Sequence, residues 1–364
     1  MKIQLCDYFV TVGSRGSSAD RDVLRWGKVA PQMRTLLVVL ISLLTLALAA
    51  TAAAEPYTAP GNKVLWGGQG GYTAGSIGAF TQQSGKHPAV FNYFIDWRGD
   101  FNWLGQRLDD AERANSHAML SVSTEETGIS LRDLARGAGD GFLVGLNHLV
   151  DEHGQVVYLR PLSEMNNANN PYSAYEQSGR PRGPAFTTAW FKKAWRRIAL
   201  VVRGGEVATI NSKLRGQGLP PVRTGAAELP RAKIALMWVP LSFGNPEIEK
   251  NHPKHFWPGG RYVDWVGTTW YSPFRASSAF HSFYSYPKWH RKPFAFAEWG
   301  VWGADAPSFV GQFFGFLKSH PRVRMAVYYQ SASLKPEFAL SNHPASRAAL
   351  RRAVKWPRLT GVAP

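Results

Sequence analysis

From about residue 64 onward, short apolar runs alternate with longer amphipathic stretches. The runs at 64–66, 89–95, 118–122, 156–159, 234–239, 265–270, 294–297 and 323–329 are rich in β-branched and aromatic residues and too short for helices, which predicts eight strands. Between them, 141–153, 188–203 and 308–319 carry apolar residues at helical spacing, and 345–354 does so after the last strand. Eight strands alternating with helices over about 300 residues predict a single-domain (β/α)8 barrel. Its parallel strands are covered on both faces and therefore read as nearly continuous apolar runs. A doubly wound sheet is the rival, but "WGGQGGYTAG" (66–75) lacks the G-x-G-x-x-G spacing and no P-loop lysine follows it. The stretches 206–231 and 241–260, rich in Gly, Pro and Arg, predict irregular loops. The second of these follows a strand C-terminus, where barrels build their sites.

The N-terminal part does not belong to this pattern. "MRTLLVVLISLLTLALAATAAAEP" has a cationic start, an apolar run and small residues before Glu55, the layout of a secretory signal peptide at 33–54. Residues 1–32 lack the periodicity of a domain and read as a non-structural extension, which leaves 55–364 as the barrel. The protein is accordingly expected to be secreted, periplasmic or at the cell surface, with no membrane attachment after cleavage. The one cysteine, Cys6, lies in the extension, so the expected mature chain has no disulfide.

Net charge is +17; residues 1–54 hold six Lys/Arg and three Asp/Glu, so the remainder keeps 36 against 22, or +14. That balance favours anionic partners. No zinc-finger, RRM or basic-helix pattern is present, and nucleic acid is not an expected partner. The histidines form no His-Glu-x-x-His, so no metal site and no cofactor are predicted.

Polar and aromatic residues gather where the predicted strands end. Strand two ends at Asp96 and Trp97, and strand four leads into Arg160 and Glu164. Strand five ends at Trp238, strand six at Tyr271, and strand seven at Glu298 and Trp299. In a barrel, the ends of strands four and seven face each other across the mouth, so the two glutamates converge. Two carboxyl groups flanking a bond are what glycoside hydrolysis requires: one protonates the leaving oxygen and the other attacks the anomeric carbon. The member that carries the proton needs a raised pKa, which burial and a neighbouring carboxylate supply.

Four segments carry a family resemblance. "LRPLSEMNN" resembles the acid/base motif of family 26 glycoside hydrolases, the β-mannanase family of the clan A barrels. "WPGGRYVDWVGTTWY" and "KPFAFAEWG" resemble its sixth and nucleophile strands, and "LARGAGDGF" a Gly-x-x-Asp segment before the fourth. The resemblance implies Glu164 as acid/base and Glu298 as nucleophile of a retaining endo-β-glycosidase. It implies that Tyr271 hydrogen-bonds the nucleophile and that Arg160 organises charge beneath the site. Asn166 of the Glu-Met-Asn stretch is implied in substrate binding. Trp238 and Trp299 are expected to stack on sugar, with Trp97 and Tyr172 as further candidates from their places near strand ends. Ser163 stands where the family has histidine, Thr269 where it has aspartate and Leu241 where it has asparagine. These departures fall around an unchanged glutamate pair, and they leave the glycan open: mannan by family default, another β-glycan, or a bacterial exopolysaccharide, with the charge pointing to an anionic one. A carbohydrate-binding barrel without turnover is the alternative. A monomer is expected.

Overall fold

The computed structural model describes residues 56–274, 278–331 and 333–364. The expected signal peptide and extension lie outside the described residues. Eight parallel strands close into a barrel: β1 (Val64–Gln69), β2 (Val90–Asp96), β3 (His117–Ser123), β4 (Val157–Pro161), β5 (Ile234–Trp238), β6 (Trp265–Tyr271), β7 (Phe294–Gly300) and β8 (Val323–Tyr329). Closure is made by β1 against β8, with Leu65 opposite Met325 and Gln69 opposite Tyr329. A two-residue strand, β9 (Leu359–Thr360), adds to the other side of β1. The eight strand expectations hold to within three residues at each end. β9 was not anticipated, since a two-residue strand has no period to read.

The helices are α1 (Ser76–Ser84), α2 (Phe101–Arg113), α3 (Leu131–Ala135), α4 (Asp140–His153), α5 (Thr188–Val202), α6 (Val207–Arg215), α7 (Ser278–Ser285), α8 (Pro307–Ser319) and α9 (Pro344–Ala353). The stretch 206–231, expected to be irregular, contains α6 and the far strand of a small antiparallel pair, Gly205–Glu206 with Glu228–Leu229. α6 ("VATINSKLR") is short and ends in polar residues; burial of Val207, Ile210 and Leu214 on one side sets it.

Period-two alternation divides the strands between two apolar compartments. Leu65, Val90, Met119, Tyr158, Met237, Trp265, Ala295 and Met325 point inward and pack together inside the barrel. Val64, Trp66, Phe91, Leu159, Leu236, Phe294 and Phe296 point outward into the shell beneath the helices. The base of the barrel is stoppered by the first described residues. Trp265 Nε1 donates to the Pro56 carbonyl and Tyr158 Oη to that of Tyr57, each at 2.5 Å. Tyr57 itself packs on the inner cluster.

One ion pair locks the outer wall. Arg197 on α5 is fully buried and grips Asp140 at the start of α4 through two bonds, Nε–Oδ1 at 2.7 Å and Nη2–Oδ2 at 2.6 Å. It also donates to the carbonyls of Pro220 and Pro221, while Asp140 accepts from the Arg223 amide. Asp140 is the aspartate of the "GAGDGF" segment, and its partners are structural. Removing it strands a buried guanidinium, so Asp140→Ala should lower unfolding free energy by about 3–5 kcal/mol in chemical denaturation.

Candidate active site

The mouth of the barrel is formed by the C-terminal ends of the strands. Arg160, the inward-facing residue near the end of β4, is fully buried. Its Nη1 donates to Glu298 Oε1 on β7 and, at 3.4 Å, to Ser121 Oγ on β3; Ser121 Oγ in turn donates to Asn92 Oδ1 on β2 at 2.8 Å. Glu298 Oε2 accepts from Tyr271 Oη on β6 at 2.6 Å. Both carboxylate oxygens of Glu298 therefore have a donor, one of them cationic, and the residue is only 8% exposed.

A β-bulge aims Glu298 into this network. β7 takes three steps from Phe296 to Trp299 while β8 takes two from Ala326 to Tyr328, and the register against β6 shifts between Thr268 and Thr269. One extra residue in β7 flips the alternation beyond Phe296. Without it Glu298 would share the outward face of Phe294 and Phe296. With it Glu298 turns inward and Trp299 turns out.

Glu164 sits three residues past the end of β4 on strained backbone. Leu162 and Glu164 both have φ of 50°, a left-handed conformation that costs a non-glycine residue about 1–3 kcal/mol and needs outside support. The support is a lattice of hydrogen bonds. The Glu164 amide donates to the Val239 carbonyl at 2.7 Å. Asn170 Nδ2 donates to the carbonyls of Glu164 and Ser163, and Tyr172 Oη donates to the Ser163 carbonyl at 2.7 Å. The carboxylate accepts from Asn167 Nδ2 at 2.9 Å. Burial, and next the charge of Glu298, push the Glu164 pKa above the ordinary glutamate range; Arg160, Asn167 and the Thr269 hydroxyl pull against this. Burial and both glutamates hold the Tyr271 phenol well above its usual value, so it remains a donor.

Glu164, Glu298, Arg160 and Tyr271 thus come together. The three tryptophans do not join them. Trp238 is the outward residue of β5, fully buried against Trp257 and Trp289. Trp299, turned out by the bulge, lies flat on Phe313 of α8 with centroids 3.6 Å apart. Trp97 is buried against Phe142, with Nε1 on the Gly139 carbonyl; a Cβ at Gly139 would lie 2.2 Å from that nitrogen, so the glycine makes room for the indole. None of the three presents a face to the mouth. Tyr172 is also buried and braces the Glu164 loop. Asn166 is buried with its amide spent on the backbone of Leu241 in both directions, tying the loop after β4 to the loop after β5. Its neighbour Asn167 touches Glu164.

Other aromatic residues face the opening. A cleft of about 770 Å³ beside β2 and β3 is lined by Tyr72, Phe94, Trp103, Asp96, Asp100, Glu125 and Glu126 among others. From Phe94 a line of ring contacts runs through Tyr329 and Tyr271 to Trp302, with centroids 5.8–6.1 Å apart. Trp302 is 40% exposed and Phe274, against it, 50%. Sequence reading passed over Trp302 because it stands in a loop, beyond the strand whose end drew attention to Trp299. Among the described residues no cluster of His, Cys, Asp and Glu is arranged to hold a metal ion.

No family model matches the chain. A stretch of 98 residues is 24% identical to Endoglucanase H of Acetivibrio thermocellus; it covers 27% of this chain and 11% of that protein, so the chain matches only about a tenth of that curated relative's length. Solved structures align over most of the chain. GH26A from a Muricauda species is 17% identical, with TM-score 0.53, covering 93% of this chain and 99% of that one. GH26C from the same organism is 13% identical, with TM-score 0.55, covering 82% and 87%. A modular endo-β-1,4-mannanase from Cellulomonas fimi is 14% identical, with TM-score 0.53, covering 86% and 79%. The closed parallel barrel and these alignments give the chain the fold of the family 26 glycoside hydrolases.

Proposed function

We propose that this protein is a retaining endo-β-glycosidase, with Glu298 as nucleophile and Glu164 as acid/base. The observation that carries the proposal is the unequal treatment of two neighbouring carboxyls. Glu298 has a donor on each oxygen, one of them the Arg160 guanidinium, and faces the anomeric carbon as the charge partner of that cation. Glu164, enclosed and facing that negative charge, is pushed toward holding its proton. In the first step Glu298 attacks the anomeric carbon while Glu164 passes its proton to the glycosidic oxygen, and the bond to the leaving sugar breaks. In the second, Glu164, now a carboxylate, takes a proton from water as that water displaces Glu298 and restores both groups.

The cleft narrows the substrate. Asp96, Asp100, Glu125 and Glu126 outnumber Arg98 among its charged residues, so an uncharged β-glycan, mannan included, suits it better than an anionic one. Export with cleavage before Glu55 is part of the proposal. It is supported by the cationic start, apolar run and small residues of 33–54.

On a panel of β-glycans, Glu298→Ala should abolish turnover with folding intact. Glu164→Ala should lose most activity on polysaccharide yet retain it on an aryl glycoside with a good leaving group, where azide restores turnover as a β-glycosyl azide. Product anomers read by NMR should show retention; inversion, or wild-type rates in both variants, would overturn the assignment. Binding across the panel without cleavage would favour the carbohydrate-binding barrel instead.

Thr269→Val removes a hydroxyl that holds the Glu164 pKa down. The proton should then persist to higher pH, so the alkaline limb of the kcat/KM profile should move to higher pH. Trp302→Ala should raise KM for polysaccharide about fivefold with little change in kcat, as expected from losing about 1 kcal/mol of ground-state stacking.

A further inference from the structure

Cations gather at one end of the barrel. At the base, six of the connectors that feed strands deliver a cation just before the strand or within its approach: Lys63 to β1, Lys86 to β2, Lys233 to β5, Lys292 to β7, Arg322 to β8 and Arg358 to β9. These groups are close enough to act on one another. Burial and then the charge of Lys63 hold Lys86 below the usual lysine range, and burial and then Arg358 do the same to Arg324. Lys288, His290, Arg291 and Lys292 line one depression beside Gly260 on the same end. The acids at this end are fewer: Asp109 and Glu112 on the end of α2, Asp151 and Glu152 on the end of α4, Glu206 and Glu228 on the small antiparallel pair, and Asp264 before β6, which is buried and paired with Arg203. The mouth is mixed: the cleft carboxylates, Glu164 and Glu298 stand there beside cations such as Arg98, Arg180, Lys250 and Lys335.

Two further observations say what this face meets. The chain enters the structure there: Pro56 is held by Trp265 at the base, and the apolar run 36–50 lies just ahead of it in the sequence. The exposed large apolar residues Phe274, Trp302 and Leu334 follow strand C-termini at the mouth, and among the described residues only Val362 is comparably exposed near the base. A face that is cationic and poor in inserting side chains fits an anionic lipid surface approached by charge alone. We propose that the base of the barrel docks on an anionic phospholipid bilayer and so turns the mouth away from it.

Residues 53–364 form one compact unit holding the whole barrel, so the chain from Glu55 can be tested without the apolar run. The measurement is co-sedimentation with phosphatidylcholine vesicles, with and without phosphatidylglycerol. The protein should pellet with the anionic vesicles only and be released by salt. A base variant, Lys63→Glu/Lys288→Glu/Arg291→Glu, should bind at least about tenfold more weakly. A mouth variant of equal charge change, Arg180→Glu/Lys250→Glu/Lys335→Glu, should bind as the unaltered protein does. Circular dichroism and melting of each variant separate lost binding from lost folding. Equal binding by the base variant, equal loss in the mouth variant, or no preference for anionic vesicles would overturn the proposal. Retention of soluble polyphosphate by the base without binding to anionic vesicles would also overturn it and assign the face to a soluble polymer.

Discussion

Arg160 is a guanidinium with no access to water, placed inside a barrel whose other inner residues are largely apolar. A buried cation of this kind is tolerable only with a charge to match it. Glu298 is that charge, and much of the mouth follows from the pairing. Glu298 answers Arg160, and its charge, after burial, presses the nearby Glu164 toward keeping its proton. Tyr271 completes the set by donating to the second oxygen of Glu298. The arrangement is expensive in stability, since Arg160 Nε and Nη2 and the amide groups of Gln69 have no protein partner although buried. Backbone strain at Leu162 and Glu164 adds to the cost. A protein that carried this layer without a chemical use for it would gain stability by replacing it with apolar side chains.

The barrel was legible because its signal is redundant. Each strand is short, apolar on both faces and separated from the next by a helix-length interval, so an error in one would have left seven others. The glutamates were legible for the same reason as a pair at corresponding strand ends. What could not be read was the direction of single side chains. Plain alternation from Phe294 puts Glu298 and Phe296 on one face and Trp299 on the other; the bulge, one extra residue in β7, reverses this and shows only in the register against β6 and β8. Trp238 is a different case. It shares a parity with Ile234 and Leu236, and knowing which parity faces the helices requires the neighbouring strands. Asn166 and Asn167 differ by one position, and only the turn between them decides which reaches the carboxylate.

The loops explain why the residues around the glutamates are so particular to this chain. The loop after β4 is fastened to the loop after β5 by Asn166, Asn167, Asn245 and Asn251, a set of amides with no periodic signature. Leu241 takes part through its backbone alone, so its side-chain identity is free to change without loosening the tie. Thr269 does reach Glu164 through its hydroxyl, so one of the departures touches the carboxyl whose pKa burial raises.

The pairing of β1 has a consequence for how the chain becomes a barrel. Its closing neighbour β8 and its flank β9 are more than two hundred and fifty residues downstream, while only β2 is local. A chain delivered N-terminus first, whether from a ribosome or through a membrane, holds β1 with an open edge until nearly the last strand emerges. The contacts that seal the fold have the largest sequence separation in it, so closure is late and comparatively slow.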